Sequence, residues 1–282
     1  MKENQQLKAV EPCFMWLLFQ EKPEVPDQSV WQNLLKERGY CTELGIEAEG
    51  FKTVLLPEYI VEFKEGKKAC AQLVLFDVDS MQMGRVDSFA RQQFWDVPDG
   101  VNLMESCGYR VLTGDFLSLG LSGLQRCAIL SDWLEIVLEM FPDCVAVYFQ
   151  ASQKLLTANQ LRHNPLQGST RFLYGGLNAR LFNVEKSSNK KECVVDTLGL
   201  YAFGVADVQY HFFDLDVNEV VNHAYRVALY QFEQGMPIQN QETVEGFGED
   251  QRWSCCYEVS LVQPMREVLD IQCKGNAAGR DK

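Results

Sequence analysis

Three polar residues alternate along one β-rich run, Asp207, Gln209 and His211, set among Val208, Tyr210 and Phe212. Side chains of a strand point alternately to its two faces, and alternate positions lie roughly 7 Å apart. An acid, an amide and an imidazole then share one face, a set that could orient a histidine for acid and base work or bind a partner. Polar residues on one face of an antiparallel strand are more often its solvated side, and the three are read that way. An enzyme would need at least two of them in one concave pocket; a binding protein would leave them scattered and wet.

A second set is Asp77, Asp79 and Asp115, of which Asp77 and Asp115 directly follow apolar strand-like runs. If those strands were parallel neighbours, the paired carboxylates would face the crevice where open α/β sheets bind ligands, and could hold Mg2+ or exchange protons. Asp is equally common where a strand enters a turn, and that reading is preferred. His223 stands one helical turn after Glu219, a spacing that suits an exposed ion pair better than a metal site shared with His211. No P-loop, GxGxxG, HExxH or CxxC occurs, and Gly120-Leu121-Ser122-Gly123 lacks the spacing of a nucleophile elbow. No cofactor and no metal are expected.

Composition narrows the partners. With 39 Asp and Glu against 26 Lys and Arg, the net charge of −13 repels polyanions. The densest basic stretches, 64–68 and 186–191, are short and read as turns, so no nucleic acid is expected and a basic protein partner is favoured. The ten cysteines sit mostly inside apolar runs, as small buried hydrophobes do in a reducing cytosol. The adjacent Cys255 and Cys256 would point to opposite faces of a strand and make a poor chelate. The longest early apolar run, 14–19, is too short for a signal-peptide core or a membrane span, which predicts a soluble cytoplasmic protein.

The elements that must position these residues follow from periodicity. Residues 14–19 read as a strand buried on both faces, and Asp27 as the cap of a helix to Arg38 with Val30, Trp31, Leu34 and Leu35 inward and Gly39 as its stop. Strands are expected at 53–56, 59–63, 69–76 and 109–113, the second and third joined by a hairpin at Glu65-Gly66. The stretch 77–100 has no clear period, and its Phe89, Phe94 and Trp95 are either core cover or binding anchors. Ser122 with Gln125 makes a capping box for a long helix to Phe141, heavily buried through Leu124, Ala128, Ile129, Trp133, Ile136, Val137 and Met140. A strand at 144–149 completes a strand, helix, strand unit.

Composition shifts across residues 156–170, which places a boundary between two halves near 165–170. Beyond it, 178–184 and 192–197 flank a hydrophilic turn, strands follow at 198–203 and 208–213, and Asp216 with Glu219 opens a helix that Gly235 closes. Two more strands are expected at 252–259 and 268–273. The organisation is therefore a flexible 1–11, an N-terminal half 12–165, a C-terminal half 170–273 and a disordered tail 274–282.

The runs DTLGLYAFGVADVQYHF, LDVNEVVNHAYRVALYQFEQG and EVSLVQPMREVLD, with FMWLLFQEKP, QKLL and YGGLNARLFNV before them, resemble a bacterial family called domain of unknown function 4261. The resemblance is densest after Tyr174. The chain departs from the family pattern at Val205-Ala206-Asp207, where Leu-Pro-Asp is usual, and at Asp216-Val217-Asn218-Glu219, where Asp-Pro-Asn-Glu is usual. The role of the family being unassigned, the resemblance implies no activity. The fold class expected is α+β: two mixed sheet-plus-helix halves with helices packed on largely antiparallel sheets. The function expected is non-catalytic protein binding, immunity-like or regulatory, with an enzyme using the strand-end carboxylates or the Asp207, Gln209, His211 face as the alternative.

Overall fold

A computed structural model describes residues 7–63, 66–81, 86–184, 190–248 and 250–278. They form two compact units, 11–176 and 177–278, the latter taking in residues 7–10. Each is a sheet with helices, and the fold class is α+β.

The first unit runs β1 (Phe14–Phe19), α1 (Gln28–Glu37), β2 (Glu43–Ala48), β3 (Phe51–Glu62), β4 (Lys68–Phe76), β5 (Asp79–Ser80), α2 (Ser88–Arg91), α3 (Gly100–Glu105), β6 (Tyr109–Phe116), α4 (Gly123–Met140), β7 (Ala146–Phe149), β8 (Lys154–Thr157), α5 (Ala158–Arg162) and α6 (Ser169–Gly176). The sheet order is β2-β3-β4-β6-β1-β7-β8, with β5 also on β6. Its continuous apolar run puts β1 near the middle. Phe19 meets Phe141 at the end of α4 on one face, while Trp16 and Leu18 join Phe94 and Met104 in a cluster on the other.

Helix α4 begins at the expected capping box, with Ser122 Oγ accepting from the Gln125 N–H (3.2 Å) and Gln125 Oε1 accepting from the Ser122 N–H (3.1 Å). Ile129, Trp133, Ile136 and Val137 are buried as expected, but Leu124 and Ala128 are exposed, Met140 is half-buried, and Arg126 is buried. Strands β6 and β7, joined through α4, are parallel but not adjacent, because β1 pairs antiparallel with both. In α1, Trp31 and Leu35 are buried, but Val30 is exposed and Gln28 turns inward to donate to the Thr53 carbonyl.

The expected strands 53–56 and 59–63 are one strand, β3. Pro57 sits where the register against β4 shifts, between Leu56 and Ile60, the place where a strand tolerates proline. Of the expected hairpin turn, Glu65 lies outside the described residues. Of the aperiodic stretch 77–100, residues 82–85 lie outside the described residues; the rest supplies β5, α2 and the start of α3, with Val86, Ala90, Phe94 and Val97 in the Trp16 cluster. Helix α6 packs on α4, β7 and β8, with Phe172 against Phe149 (5.7 Å between ring centroids). The boundary between units therefore falls after α6, at 176, and not at the polar run 165–170 before it.

The second unit comprises β9 (Asn178–Asn183), β10 (Glu192–Leu198), β11 (Asp207–Phe213), α7 (Val217–Gln234), β12 (Thr243–Glu245), β13 (Arg252–Val259) and β14 (Glu267–Gln272). The order is β12-β13-β14-β11-β10-β9; only β11 and β14 pair in parallel. Asp216 caps α7 by accepting from the N–H groups of Asn218 (2.9 Å) and Glu219 (3.0 Å), and Gly235 ends it at φ 71°, which a residue with a Cβ adopts only at a cost. The strand expected at 198–203 stops at Leu198. Gly199 turns the chain at φ 132°, and Leu200–Phe203 forms a 3-10 turn. Residues 7–10, expected to be flexible, are tied in by the Lys8 N–H to the Met265 carbonyl (2.7 Å). The start of the tail, 274–278, also folds back, with Ala278 N–H on the His211 carbonyl (2.9 Å) and Phe213 N–H on the Asn276 carbonyl (2.7 Å).

Candidate functional site

The sequence places Asp207, Gln209 and His211 on one face, and the register of β11 agrees. Gln209 lies opposite Asp196 of β10 and Asp270 of β14, and Asp196 opposite Arg180 of β9. The face is not solvated, however: Asp207 and Gln209 are wholly buried and His211 is partly so. Buried polar groups need partners, and each of the three has a different one.

Asp207 accepts from Arg266 Nε (2.9 Å), Thr197 Oγ1 (3.2 Å) and the N–H groups of Gly199 (3.3 Å) and Leu200 (3.2 Å). Arg266 also reaches Asp196 (2.7 Å), which Arg180 grips with two donors (2.9 and 2.6 Å). The result is a buried chain, Arg180, Asp196, Arg266, Asp207, whose formal charges cancel. Burial pushes the Asp207 carboxyl up, and the Arg266 charge pulls against it. Gln209 donates to Asp270 (2.8 Å) and accepts from the Leu261 N–H (2.7 Å), while His211 Nε2 meets Glu192 (2.7 Å).

Much of this array converges on the loop between β13 and β14. Arg266 donates to the carbonyls of Pro264 (2.9 Å) and Val262 (3.4 Å), Arg180 to that of Gln263 (2.9 Å), and Gln209 holds Leu261. Chemically, the arrangement is a clamp. The sequence marked Asp207 but missed Asp196, Arg180 and Arg266, since an acid or arginine in or beside a strand carries no signal of burial.

The strand-end carboxylates do not meet. Strands β4 and β6 are neighbours but antiparallel, so Asp115 lies opposite Leu73, and Asp77 is exposed past the other end of β4. Asp79 binds Arg110 (2.6 Å). Asp115 accepts from the Cys13 N–H (2.6 Å), from Arg126 Nε (2.7 Å) and from the Ser118 hydroxyl, and Arg126 donates onward to the Glu11 carbonyl (2.9 Å). Burial pushes the nearby Cys13 and Cys127 thiols well up, which leaves them protonated and poor nucleophiles.

His223 is not an exposed partner of Glu219. It turns into the unit, with Nε2 on the Glu245 carbonyl (2.8 Å) and Nδ1 on the Tyr210 hydroxyl (2.6 Å). A carbonyl only accepts, so the proton sits on Nε2 and Nδ1 accepts from Tyr210. Tyr210 and His211 are consecutive in β11, which puts His211 and His223 on opposite faces of the sheet. Rings of Trp253 and Phe247 pack against the imidazole at 5.3 and 5.8 Å. Among the described residues no three His, Cys, Asp or Glu side chains come together as a metal site.

Burial lowers the His223 pKa from its ordinary value. The unfolded chain therefore takes up the proton first as pH falls, and stability contributed by neutral His223 is present above the unfolded pKa of about 6.5 and lost below it. The expected result is that the stability gap between wild type and His223→Gln, from urea unfolding, narrows between pH 7.5 and pH 5.5. A gap independent of pH would show that folding leaves the His223 pKa unchanged and would contradict this reading.

A cavity of about 600 Å3 lies between residues 22–27 and 140–143, and one of about 560 Å3 between α7 and β12. Of the sequence-marked residues only His223 lines either. On the first unit Phe89 and Trp95 are 65% and 56% exposed, while Phe94 between them is 6% exposed in the Trp16 cluster. The segment is pinned: Asp87 caps the Phe89 N–H (2.7 Å), Gln160 Nε2 donates to the Asp96 carbonyl (2.9 Å), and Trp95 Nε1 donates to Gln93 (2.9 Å).

No curated protein and no solved structure matches the chain. A family model does, over residues 196–272, under the description domain of unknown function (DUF4261). Those residues contain Asp196, Asp207, Gln209, His223, Arg266 and Asp270, and exclude Arg180 and the whole first unit. Residues 196–272 are therefore similar to the DUF4261 family.

Proposed function

We propose that the chain is a bacterial, cytoplasmic, non-catalytic binding protein that docks a basic protein partner on the α2 to α3 segment of its first unit. The observation that carries the reading is the exposure of Phe89 and Trp95 on a segment that Phe94 and three hydrogen bonds hold in place. Aromatic side chains that are exposed yet preorganised lose little entropy on binding and are typical interface anchors. The partner chemistry follows from charge: residues 87–105 carry Asp87, Asp96, Asp99 and Glu105 against Arg91, within a chain of net charge −13. Ten free cysteines support a reducing compartment, and no helix of the described residues is long and apolar enough to cross a membrane.

Site-specific photo-crosslinking tests this. A crosslinker replacing Phe89 or Trp95 in the native cell is expected to capture one protein with a surplus of Lys and Arg, and a crosslinker at Leu124, exposed elsewhere on the same unit, is expected not to capture it. Equal capture from all three positions, or capture of acidic proteins, contradicts the proposal.

A further inference from the structure

Residues 20–27, between β1 and α1, run without helix or strand past the turn 141–145 that leads from α4 to β7. Two cavities lie there, of about 600 and about 480 Å3. They share Phe19, Lys22, Pro23, Pro142 and Asp143, and so form one elongated groove. Its lining is apolar at Phe19, which is buried, and at Val25 and Met140, which are half-buried.

The main chain of Glu21, Lys22, Glu24 and Val25 makes no hydrogen bond among the described residues, through either its N–H groups or its carbonyls. Pro23 and Pro26 hold the residues before them in extended conformations. An extended stretch with open donors and acceptors beside a groove suits pairing with another main chain. Charge selects which one. Glu21, Glu24, Asp27 and Asp143 line the groove against Lys22 alone, all five are exposed, and none of their side chains is hydrogen-bonded or ion-paired among the described residues. Four open carboxylates against one ammonium favour a basic ligand.

We propose that the groove between residues 20–27 and 140–145 binds an extended basic peptide segment. The peptide main chain pairs with residues 21–25, its Lys and Arg side chains meet Glu21, Glu24, Asp27 and Asp143, and an apolar side chain rests on Val25 and Met140. The groove is a second surface, beyond that of Phe89 and Trp95, and the inference rests on its own lining.

The probe is a random dodecapeptide display library panned against the full chain, with a selected peptide then titrated by fluorescence anisotropy. Peptides rich in Lys and Arg are expected from wild type and from Phe89→Ala/Trp95→Ala, and are expected to be lost with Glu24→Lys/Asp143→Lys. Both reversed positions are exposed, where substitution disturbs folding little. The selected peptide is expected to bind this variant about tenfold more weakly, the size of two lost rim charge pairs. N-methylation of its amides, which leaves its charge unchanged, is expected to weaken binding to wild type. Spermine, a polycation with no peptide main chain, is expected not to displace it at equal concentration. Basic peptides that survive Glu24→Lys/Asp143→Lys but not Phe89→Ala/Trp95→Ala would belong to the other surface and overturn the proposal. An absence of Lys and Arg enrichment, indifference to N-methylation, or equal displacement by spermine would overturn it too.

Discussion

Replacing Arg266 with methionine is expected to cost the second unit about 3–5 kcal/mol, the usual consequence of stranding a buried charge. Arg266 is wholly buried and is the link between Asp196 and Asp207. Without it Asp207 keeps only neutral donors, Asp196 keeps only Arg180, the Val262 carbonyl loses its Arg266 donor and the Pro264 carbonyl keeps only the Ser260 hydroxyl (3.2 Å). The loss is a large share of a typical domain stability of about 5–15 kcal/mol. Urea unfolding followed through Trp253, the only tryptophan after Trp133, would report it. Adding Asp196→Asn and Asp207→Asn to Arg266→Met should recover part of the loss, because the stranded charges go with their partner. A loss under about 1 kcal/mol, the scale of a surface ion pair, would show that the cluster is not a clamp.

The second large effect is expected in the first unit. Arg126→Met leaves Asp115 buried with two neutral donors and frees the Glu11 carbonyl, so a cost of about 3–5 kcal/mol is again expected. The construction parallels that of the second unit: a strand-borne aspartate held by a buried arginine from the element that packs beside it. Near-ultraviolet circular dichroism is a suitable probe, since Trp133 of the same helix donates to Thr113 Oγ1 (2.8 Å) and packs on Trp31 (6.1 Å between ring centroids). An unfolding midpoint equal to wild type would contradict the assignment.

Legibility in the sequence tracked how local the determining physics is. β1, α4 and α7 could be read within a residue or two because an apolar run, a Ser122/Gln125 box and an Asp216 cap with Gly235 act over a few positions. β2 was missed although Leu44, Ile46 and Ala48 alternate with Glu43, Gly45 and Glu47, because it is an edge strand whose Leu44 and Ile46 are exposed and whose register shifts between Leu44 and Glu47. The 3-10 turn at 200–203 was read as strand because its apolar residues are buried by Asp207 seizing the Gly199 and Leu200 N–H groups, a contact across a turn. Of the candidate site, the shared face of Asp207, Gln209 and His211 was legible from strand alternation. Its burial was not, since burial depends on Arg266 and Arg180, 59 and 27 residues away from Asp207 along the chain. His223 shows the same limit: its spacing from Glu219 is local, but its Tyr210 and Glu245 partners are set by tertiary packing.

The clamp and the surface divide the proposed work: acids that looked catalytic hold loops and strands, and Phe89 and Trp95 form the surface proposed to meet a partner. The most direct test is a titration of the crosslinked partner, once identified, against wild type and Phe89→Ala/Trp95→Ala at rising salt. The predicted result is a loss of about a hundredfold or more on truncating the two anchors, and an affinity for wild type that falls as salt screens the acidic segment. An affinity that neither the substitutions nor salt alters would contradict binding through this surface.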